Sequence, residues 1–258
     1  MPTITSTKNP LIQAVKALQT RAAREESGLF LCEGEHMVAE ALRYAKSSVT
    51  AVFVTEGRQQ AYAALLEASP KNHIYTVPDH VLDTLTQVKT PQGIAATVRL
   101  PARAALDSLG SRVVLLEAVQ DPGNVGTILR TADAAGFDAC VLTAGCADPF
   151  APKTLRATMG SIFRMPIVTQ SSAPQAAETL RAQGYAVLAS VLDGDDFYTR
   201  APLPQKVCLL IGNEGAGITP PLAAVATHRF RLPMRGGAES LNAAIAAAVF
   251  MYDIVNRG

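Results

Sequence analysis

The chain has 258 residues, 48% of them hydrophobic, so it has the length of one large or two medium domains and can bury a substantial core. Its 23 basic and 22 acidic side chains give a net charge of +1, which excludes a general electrostatic attraction to nucleic acid or membrane. No apolar run reaches the roughly 20 residues that cross a bilayer, no signal-peptide core is present, and the four cysteines form no C-x-x-C pair. We therefore expect a soluble, cytoplasmic protein with no membrane partner.

The first hundred residues alternate between helix-like and strand-like patterns. A helix is predicted over residues 11–23, where apolar side chains recur at helical spacing. The pattern then predicts strands at GLFLCEG, VTAVFV, HIYTV and GIAATVRL, with helices at HMVAEALRYA, QQAYAALLEA and HVLDTLTQ. Residues 1–100 are thus predicted to form a small α/β domain, and residues 101–111, rich in small side chains, a linker.

A basic patch lies at the N-terminus. Residues 1–24 contain no acidic side chain but carry Lys8, Lys16, Arg21 and Arg24. Two interpretations stay open, a solvated helix face and a surface that contacts RNA phosphates.

Residues 112–258 alternate strand and helix in a pattern typical of a parallel sheet covered on both faces. The predicted strands are RVVLLEAV, DACVLTAG, MPIVT, YAVLASV and KVCLLIG, which bury Cys140 and Cys208. The predicted helices are NVGTILRTADAAG, one near PKTLRATMG, APQAAETLRAQG and a final helix from about Ser240.

Three segments rich in glycine and polar residues lie where strands give way to helices, the side of such sheets that binds ligands. In the first, DPGNVGTILRTADAAGF, Asn124 is the predicted N-cap of the helix. Arg130 lies nearly opposite the helix's apolar stripe, either as a solvated charge or as a clamp for phosphate or carboxylate.

The second segment, LIGNEGAGIT, excludes two nucleotide-binding loops. Its glycines do not match G-x-G-x-x-G, and Ile218 and Thr219 stand where a P-loop requires lysine followed by serine or threonine. An NAD-type oxidoreductase and an ATPase are therefore disfavoured. Glu214 at the tip of this turn is interpreted either as a turn or subunit-contact residue or as an acid catalyst.

The third segment, LPMRGGAESLNAAIAAA, combines an extended loop with the start of an alanine-rich helix. Ser240 is the predicted N-cap of this helix, and Asn242 is a polar residue of its first turn. The four histidines are scattered along the chain, so no metal site is expected.

In this order, the three segments resemble the three signature motifs of the SpoU family of RNA 2'-O-methyltransferases. The resemblance covers roughly residues 112–256 and includes PKTLRATMGSIFRMPI between the first two motifs. The N-terminal part, with KNPLIQ and RAAREESGLFLCEG, is similar to the substrate-binding domain often joined to this catalytic domain. The resemblance implies an α/β catalytic domain over residues 112–258 with a trefoil knot, preceded by a small α/β RNA-binding domain.

The resemblance also implies a reaction and its partners. The expected reaction transfers a methyl group from S-adenosylmethionine to a ribose 2'-hydroxyl of RNA, leaving S-adenosylhomocysteine, with no metal. The expected substrate is 23S ribosomal RNA, and the expected assembly is a homodimer formed through the catalytic domain. Transfer RNA as the substrate, and a non-catalytic RNA-binding or ribosome-assembly module, stay open as alternatives.

Carrying the motifs over residue by residue assigns the expected site. The implied cofactor-binding residues are Gly212, Leu232, Met234 and Leu241, and the implied catalytic residues are Asn124, Arg130, Glu214, Ser240 and Asn242. Because a guanidinium has a pKa above about 12, we expect Arg130 to hold phosphate and stabilise alkoxide charge rather than to act as a base. The residues predicted to contact RNA phosphates are Lys8, Arg21, Arg24, Arg156 and Arg164.

Overall fold

The computed structural model describes residues 1–102 and 104–257. Arg103, within the predicted linker, and Gly258, at the end of the predicted catalytic domain, lie outside the described residues. The chain divides into two compact units. The first contains Met1–Ala102 together with Phe150–Phe163, and the second contains the described residues of 103–149 and 164–258.

The described chain forms α-helices and strands in this order: α1 (Pro10–Ala17), α2 (Arg21–Ser27), β1 (Leu29–Glu33), α3 (Glu35–Tyr44), β2 (Val49–Thr55), α4 (Ala63–Ala68), β3 (Ile74–Val77), α5 (Asp79–Leu82), β4 (Ile94–Arg99), β5 (Arg112–Leu116), α6 (Pro122–Ala135), β6 (Ala139–Thr143), α7 (Pro152–Thr158), β7 (Ile167–Gln170), α8 (Ala173–Ala182), β8 (Ala186–Asp196), β9 (Val207–Ile211), α9 (Pro220–Val225), β10 (His228–Arg231) and α10 (Ala243–Arg257).

The first unit is built on a four-stranded mixed sheet in the order β1-β4-β2-β3. Strand β4 runs antiparallel to both β1 and β2, while β2 and β3 are parallel. Ile12 and Val15 of α1 pack into one core with Phe53 of β2 and with Val81 and Leu82 of α5. The apolar side chains whose spacing predicted the elements of this unit are therefore the ones that form its core.

The single helix predicted over residues 11–23 is wrong, because the chain forms two helices there. Helix α1 ends at Ala17, and the hydroxyl of Thr20 accepts a hydrogen bond from the backbone N–H of Ala23 at 3.4 Å, which caps the start of α2. A threonine side chain satisfies an orphan N–H at a helix start, so it favours a new helix over continuation of the old one.

Residues 150–163 pack within the first unit although they stand between β6 and β7 in sequence. The ring of Phe30 on β1 lies 5.1 Å from that of Phe150 and 6.1 Å from that of Phe163, measured between centroids. A guanidinium nitrogen of Arg156 on α7 lies 2.5 Å from a carboxylate oxygen of Glu33. An excursion of the chain thus completes the core of the N-terminal unit.

The second unit contains a six-stranded sheet in the order β10-β8-β9-β5-β6-β7, and every pair in it is parallel. This confirms the predicted parallel sheet. Helices α8 and α9 share one core cluster with Val113 and Leu115, while the alternate residues Val114 and Leu116 are equally buried and point to the opposite face. Cys140 and Cys208 are buried in their strands, and burial raises the pKa of both thiols.

Two elements of the second unit were not predicted. Helix α9 and strand β10 lie in the stretch between the second and third motifs, and β10 adds a parallel edge strand beside β8. The apolar pattern of HRFR is too short to predict a strand, since only Phe230 is buried. Within the described residues, no helix is long and apolar enough to span a membrane.

Candidate active site

The site lies where the chain leaves the carboxyl ends of β5 and β9. Two residues beyond the end of β5, Ala118 adopts a positive φ of 51°, which is uncommon for a residue with a side chain. Its carbonyl accepts a hydrogen bond of 2.8 Å from the side-chain amide of Asn213, which follows β9. This contact joins the turns after two neighbouring strands.

The turn of residues 212–217 is a tight loop that closes on itself. The backbone groups of Asn213 and Gly217 exchange hydrogen bonds of 3.0 and 2.9 Å. The side-chain oxygen of Asn213 accepts from the backbone N–H groups of Gly215 and Ala216 at 2.9 and 3.0 Å. A Cβ atom on Gly212 would stand 2.2 Å from the carbonyl carbon of Gly217, so this position requires glycine. Asn213 therefore organises the loop, a role that was not predicted from the sequence.

A second unpredicted residue, Glu117, holds the end of the same loop. Its carboxylate is nearly buried and accepts hydrogen bonds from the backbone N–H and the hydroxyl of Thr219, at 2.8 and 2.7 Å. An acidic residue that ends a buried strand is the signal that could have drawn attention to Glu117, because a buried carboxylate needs donors.

The carboxylate of Glu214 is bound by three N–H donors. It accepts from the backbone of Gln120 at 3.1 Å, from the backbone of Asp121 at 3.0 Å and from the side-chain amide of Asn124 at 2.9 Å. Burial alone would raise its pKa, but hydrogen bonds from Asn124 and from the backbone outweigh that effect, and the pKa of Glu214 is lowered. These hydrogen bonds favour the ionised form of Glu214, which has no proton to donate as an acid catalyst, and the lowered pKa makes it a weak base.

Asn124 links Glu214 to the third motif. Its side-chain oxygen accepts a 3.0 Å hydrogen bond from the side-chain amide of Asn242, whose own oxygen accepts from the N–H groups of Ala244 and Ile245 at 2.9 and 3.3 Å. A continuous chain of hydrogen bonds therefore runs from the second motif through the first to the start of α10.

These contacts correct both predicted helix caps. The N-cap of α6 is Asp121, whose carboxylate accepts from the backbone N–H of Asn124 at 3.0 Å, so Asn124 lies inside the first turn. The residue that caps α10 is Asn242 and not Ser240, because Asn242 directly precedes Ala243 and its side chain satisfies the N–H groups of the first turn. Asn124 therefore lies in the first turn of α6, and Asn242 directly precedes α10. Their side-chain amides form a hydrogen bond between the starts of the two helices.

Arg130 is exposed on α6, on the side opposite the buried residues of the helix. This confirms the orientation predicted from helical periodicity. Among the described residues, no hydrogen bond or ion pair to its guanidinium is observed. Its donors are therefore available to an anionic ligand.

A cavity of about 630 Å³ opens beside this network in the second unit. Its wall contains all four residues predicted to bind cofactor, Gly212, Leu232, Met234 and Leu241, together with Glu214 and Ser240. Residues 190–193 of β8 and Arg229 of β10 also line it, and none of them was predicted from the sequence. Arg130 and Asn124 lie outside the lining.

The five residues predicted to contact RNA differ in their surroundings. Lys8 is exposed, and Arg21 is exposed and paired with Glu25 at 2.8 Å. Arg24 was predicted to contact phosphate, and the structure contradicts this, because its side chain is buried and donates to the carbonyl of Leu18 at 2.6 Å.

The other two predicted RNA contacts are both paired with acidic residues. Arg156 binds Glu33, and Arg164 lies 2.8 Å from Asp133 while remaining about a quarter exposed. No group of three or more potential metal ligands is assembled in the described part of the chain.

Comparison with known proteins places this geometry in a family. Residues 111–252 match the model of the SpoU rRNA Methylase family, more than half of the chain. The chain belongs to the SpoU rRNA methylase family. Residues 9–96 also match the model of the MRM3-like substrate binding domain, which lies within the first unit.

Among relatives of this SpoU family member, 23S rRNA (guanosine(2553)-2'-O)-methyltransferase RlmP of Bacillus subtilis is 37% identical, over 98% of this chain and 99% of that protein. The 23S rRNA (uridine(2479)-2'-O)-methyltransferase of Streptomyces viridochromogenes is 30% identical over 98% and 92%. The crystal structure of an AdoMet-bound rRNA methyltransferase from Sinorhizobium meliloti aligns with a TM-score of 0.85 at 34% identity, over 99% of this chain and 97% of that one.

Proposed function

We propose that this protein transfers the methyl group of S-adenosylmethionine to a ribose 2'-hydroxyl of 23S ribosomal RNA. One observation carries the proposal: hydrogen bonds join Asn124, Glu214 and Asn242, one from each motif, beside a cavity lined by the loops of the second and third motifs. The relatives named as 23S rRNA 2'-O-methyltransferases align with almost the whole chain, which favours ribosomal over transfer RNA.

The residues of the cavity fit this cofactor. Its volume of about 630 Å³ lies within the range of small-molecule sites, which is about 300 to 1,000 Å³. The close packing of Gly212 on Gly217 brings loop backbone to the wall, and Leu232, Met234 and Leu241 offer apolar surface. We propose that these four residues hold the adenosine and methionine parts of the molecule, whose sulfonium supplies an activated methyl group.

The protein's own groups then position and activate the ribose. Methyl transfer is an in-line displacement, and holding the reacting atoms in line is worth about 7 to 11 kcal/mol in favourable cases. Ser240 and Asn242 orient the ribose, and Arg130 binds the neighbouring phosphate while its charge stabilises the developing alkoxide. The 2'-hydroxyl oxygen forms its bond to the methyl carbon as the carbon–sulfur bond breaks, S-adenosylhomocysteine leaves, and the hydroxyl proton passes to water. Glu214 and Asn124 keep the loops of the three motifs in register, so Glu214 acts by positioning.

The first unit serves as the RNA-binding domain in this proposal, with residues 1–100 recognising the substrate and residues 101–111 as the linker. Residues 112–258 contain the catalytic domain, apart from residues 150–163, which pack within the first unit. Lys8 and Arg21 are exposed and well suited to phosphate, whereas Arg156 and Arg164 must exchange their acidic partners for it. We further propose that the catalytic domain contains a trefoil knot and forms the homodimer, and that the protein works in the cytoplasm.

The decisive test maps 2'-O-methyl groups in total RNA from cells with and without the gene. One 23S site that is lost with the gene and restored by wild-type protein is expected. An Arg130→Ala variant provides the matched control and leaves the site unmodified. If the site lost with the gene lies in transfer RNA, the substrate is transfer RNA and the proposal of 23S ribosomal RNA is wrong. If the methylation map is unchanged and the protein does not bind S-adenosylmethionine, the result favours the non-catalytic RNA-binding module.

A further inference from the structure

The pairing of strand β8 is interrupted by a bulge beside the cavity. Its neighbour β10 pairs Arg229 with Ala189 but the next residue, Phe230, with Asp195, so residues 190–194 bulge out of the ladder. A Cβ on Gly194 would lie 2.7 Å from the carbonyl carbon of Arg229, so the returning chain can approach β10 this closely only with glycine at that position. The bulge thus forms a wall of the cavity.

An ion pair crosses from this bulge to β10. Both carboxylate oxygens of Asp193 lie 2.7 Å from the Nη2 atom of Arg229, and the side chains are 74% and 48% exposed. Because one terminal nitrogen makes both contacts, the Nε and Nη1 atoms of Arg229 have no observed partner among the described residues. The guanidinium therefore keeps donors for a second carboxylate.

The charges of the cavity wall are few. Asp193, Glu214 and Arg229 are the charged residues that line it in the described chain, and Arg229 is the single cation. The carboxylate of Glu214 is already bound by three N–H groups. Asp193 and Arg229 are consequently the charged side chains of the wall that can bind a ligand with both a positive and a negative group.

We propose that Arg229 binds the α-carboxylate and Asp193 the α-ammonium group of the methionine end of the cofactor. The inference rests on the proposed function and deepens it, by assigning a specificity site to a pair outside the three motifs. A free amino-acid end is a zwitterion, and charge-assisted hydrogen bonds to both of its groups offset the cost of removing them from water. The pair selects ligands that carry this end over ligands that end at the thioether.

The rival explanation is structural, with the ion pair only pinning the bulge. Arg231 offers a matched control, because it stands on the same strand, lies outside the cavity lining and donates from Nε to the carbonyl of Gly194 at 3.1 Å. Arg231→Gln removes the same charge and also loosens the bulge. Because Arg231 is not among the residues that line the cavity, its replacement removes no lining group that could distinguish one ligand from another.

The test is calorimetric titration of the full chain with S-adenosylhomocysteine and with 5'-methylthioadenosine, which lacks the amino-acid end. Arg229→Gln and Asp193→Asn are each expected to weaken S-adenosylhomocysteine binding about tenfold and to change methylthioadenosine binding less than twofold. Arg231→Gln is expected to change both affinities equally or not at all.

Equal losses for both ligands in the Arg229 and Asp193 variants, or no loss for either, would overturn the inference alone. Reduced RNA affinity with unchanged affinity for S-adenosylhomocysteine would also overturn it, and would assign Arg229 to phosphate. Wild-type protein that binds neither ligand would overturn the proposed function and the inference with it.

Discussion

Arg130 is exposed on helix α6 of the first motif, so its substitution should affect the binding of phosphate without disturbing the helix core. Lysine keeps the charge but loses the planar fork that binds two phosphate oxygens at once. We expect Arg130→Lys to lower kcat about 100-fold with little change in S-adenosylmethionine affinity, because Arg130 lies outside the cavity lining. Single-turnover methylation assays and calorimetry measure the two quantities. Turnover close to wild type would exclude bidentate positioning.

Glu214 predicts a pH dependence of stability. Its pKa is lower in the folded protein than the ordinary value of 4.5, so the ionised side chain contributes stability above about pH 4.5 that is lost as the pH falls through the folded value. The backbone N–H groups of Gln120 and Asp121 bind different oxygens of the Glu214 carboxylate, and Glu214→Gln replaces one of these oxygens with an amide donor that opposes an N–H group. The variant should unfold at lower denaturant concentration at pH 7, and its deficit should shrink below pH 4.5. A deficit independent of pH would contradict this role.

At the scale of elements, the loop after β9 depends on the absence of a side chain at Gly212. A methyl group there would meet the backbone of Gly217 and Ile218, so Gly212→Ala must open the loop and should cost about 1 to 3 kcal/mol of stability. Gly215→Ala is the control, since its Cβ would have only an ordinary contact of 3.6 Å with Asn213. Thermal unfolding of the two variants compares the costs, and equal melting temperatures would show that the loop adapts freely.

The elements with long apolar patterns were the ones that sequence could predict. Strands β5, β6 and β9 and helix α6 lie where the pattern placed them, because their buried faces repeat over five or more residues. Where the sequence-based predictions were wrong, the reason was a local hydrogen bond that the apolar pattern does not reveal. Thr20 divides the first helix, Asp121 and Asn242 take the caps assigned to their neighbours, and Leu18 accepts from Arg24, which turns an expected surface charge into a buried one.

The site shows the same division. Helical spacing was sufficient to place Arg130 on the exposed side of α6, and the motif resemblance was sufficient to select four residues that share one cavity. Neither could reveal the hydrogen-bond partners of Glu117, Asn213, Asp193 and Arg229, because these partners are distant in sequence and meet only through the order of the strands. Non-local contacts of this kind leave no periodic trace in the chain.

For the whole molecule, a substitution of Phe30 tests whether the packing of residues 150–163 depends on their contact with β1. Phe30 is 1% exposed and touches Phe150 and Phe163, so Phe30→Ala should cost about 3 to 5 kcal/mol. Hydrogen exchange should accelerate in β1 and α7 and stay slow in β5 and β9. Tyr44→Ala, at a site 44% exposed, serves as the control. Unchanged protection of α7 would show that the excursion is stable without this contact.

The discontinuous N-terminal unit has a consequence for synthesis. A ribosome makes residues 1–102 first, yet the core they form also needs Phe150 and Phe163. The first unit therefore cannot complete its packing until β5, α6 and β6 of the second unit have already left the exit tunnel. Domains made in sequence usually fold from the N-terminus onward. Here the first unit completes its core only after residues 150–163 have been made, and an interrupted chain that ends before residue 150 lacks the two rings that pack against Phe30.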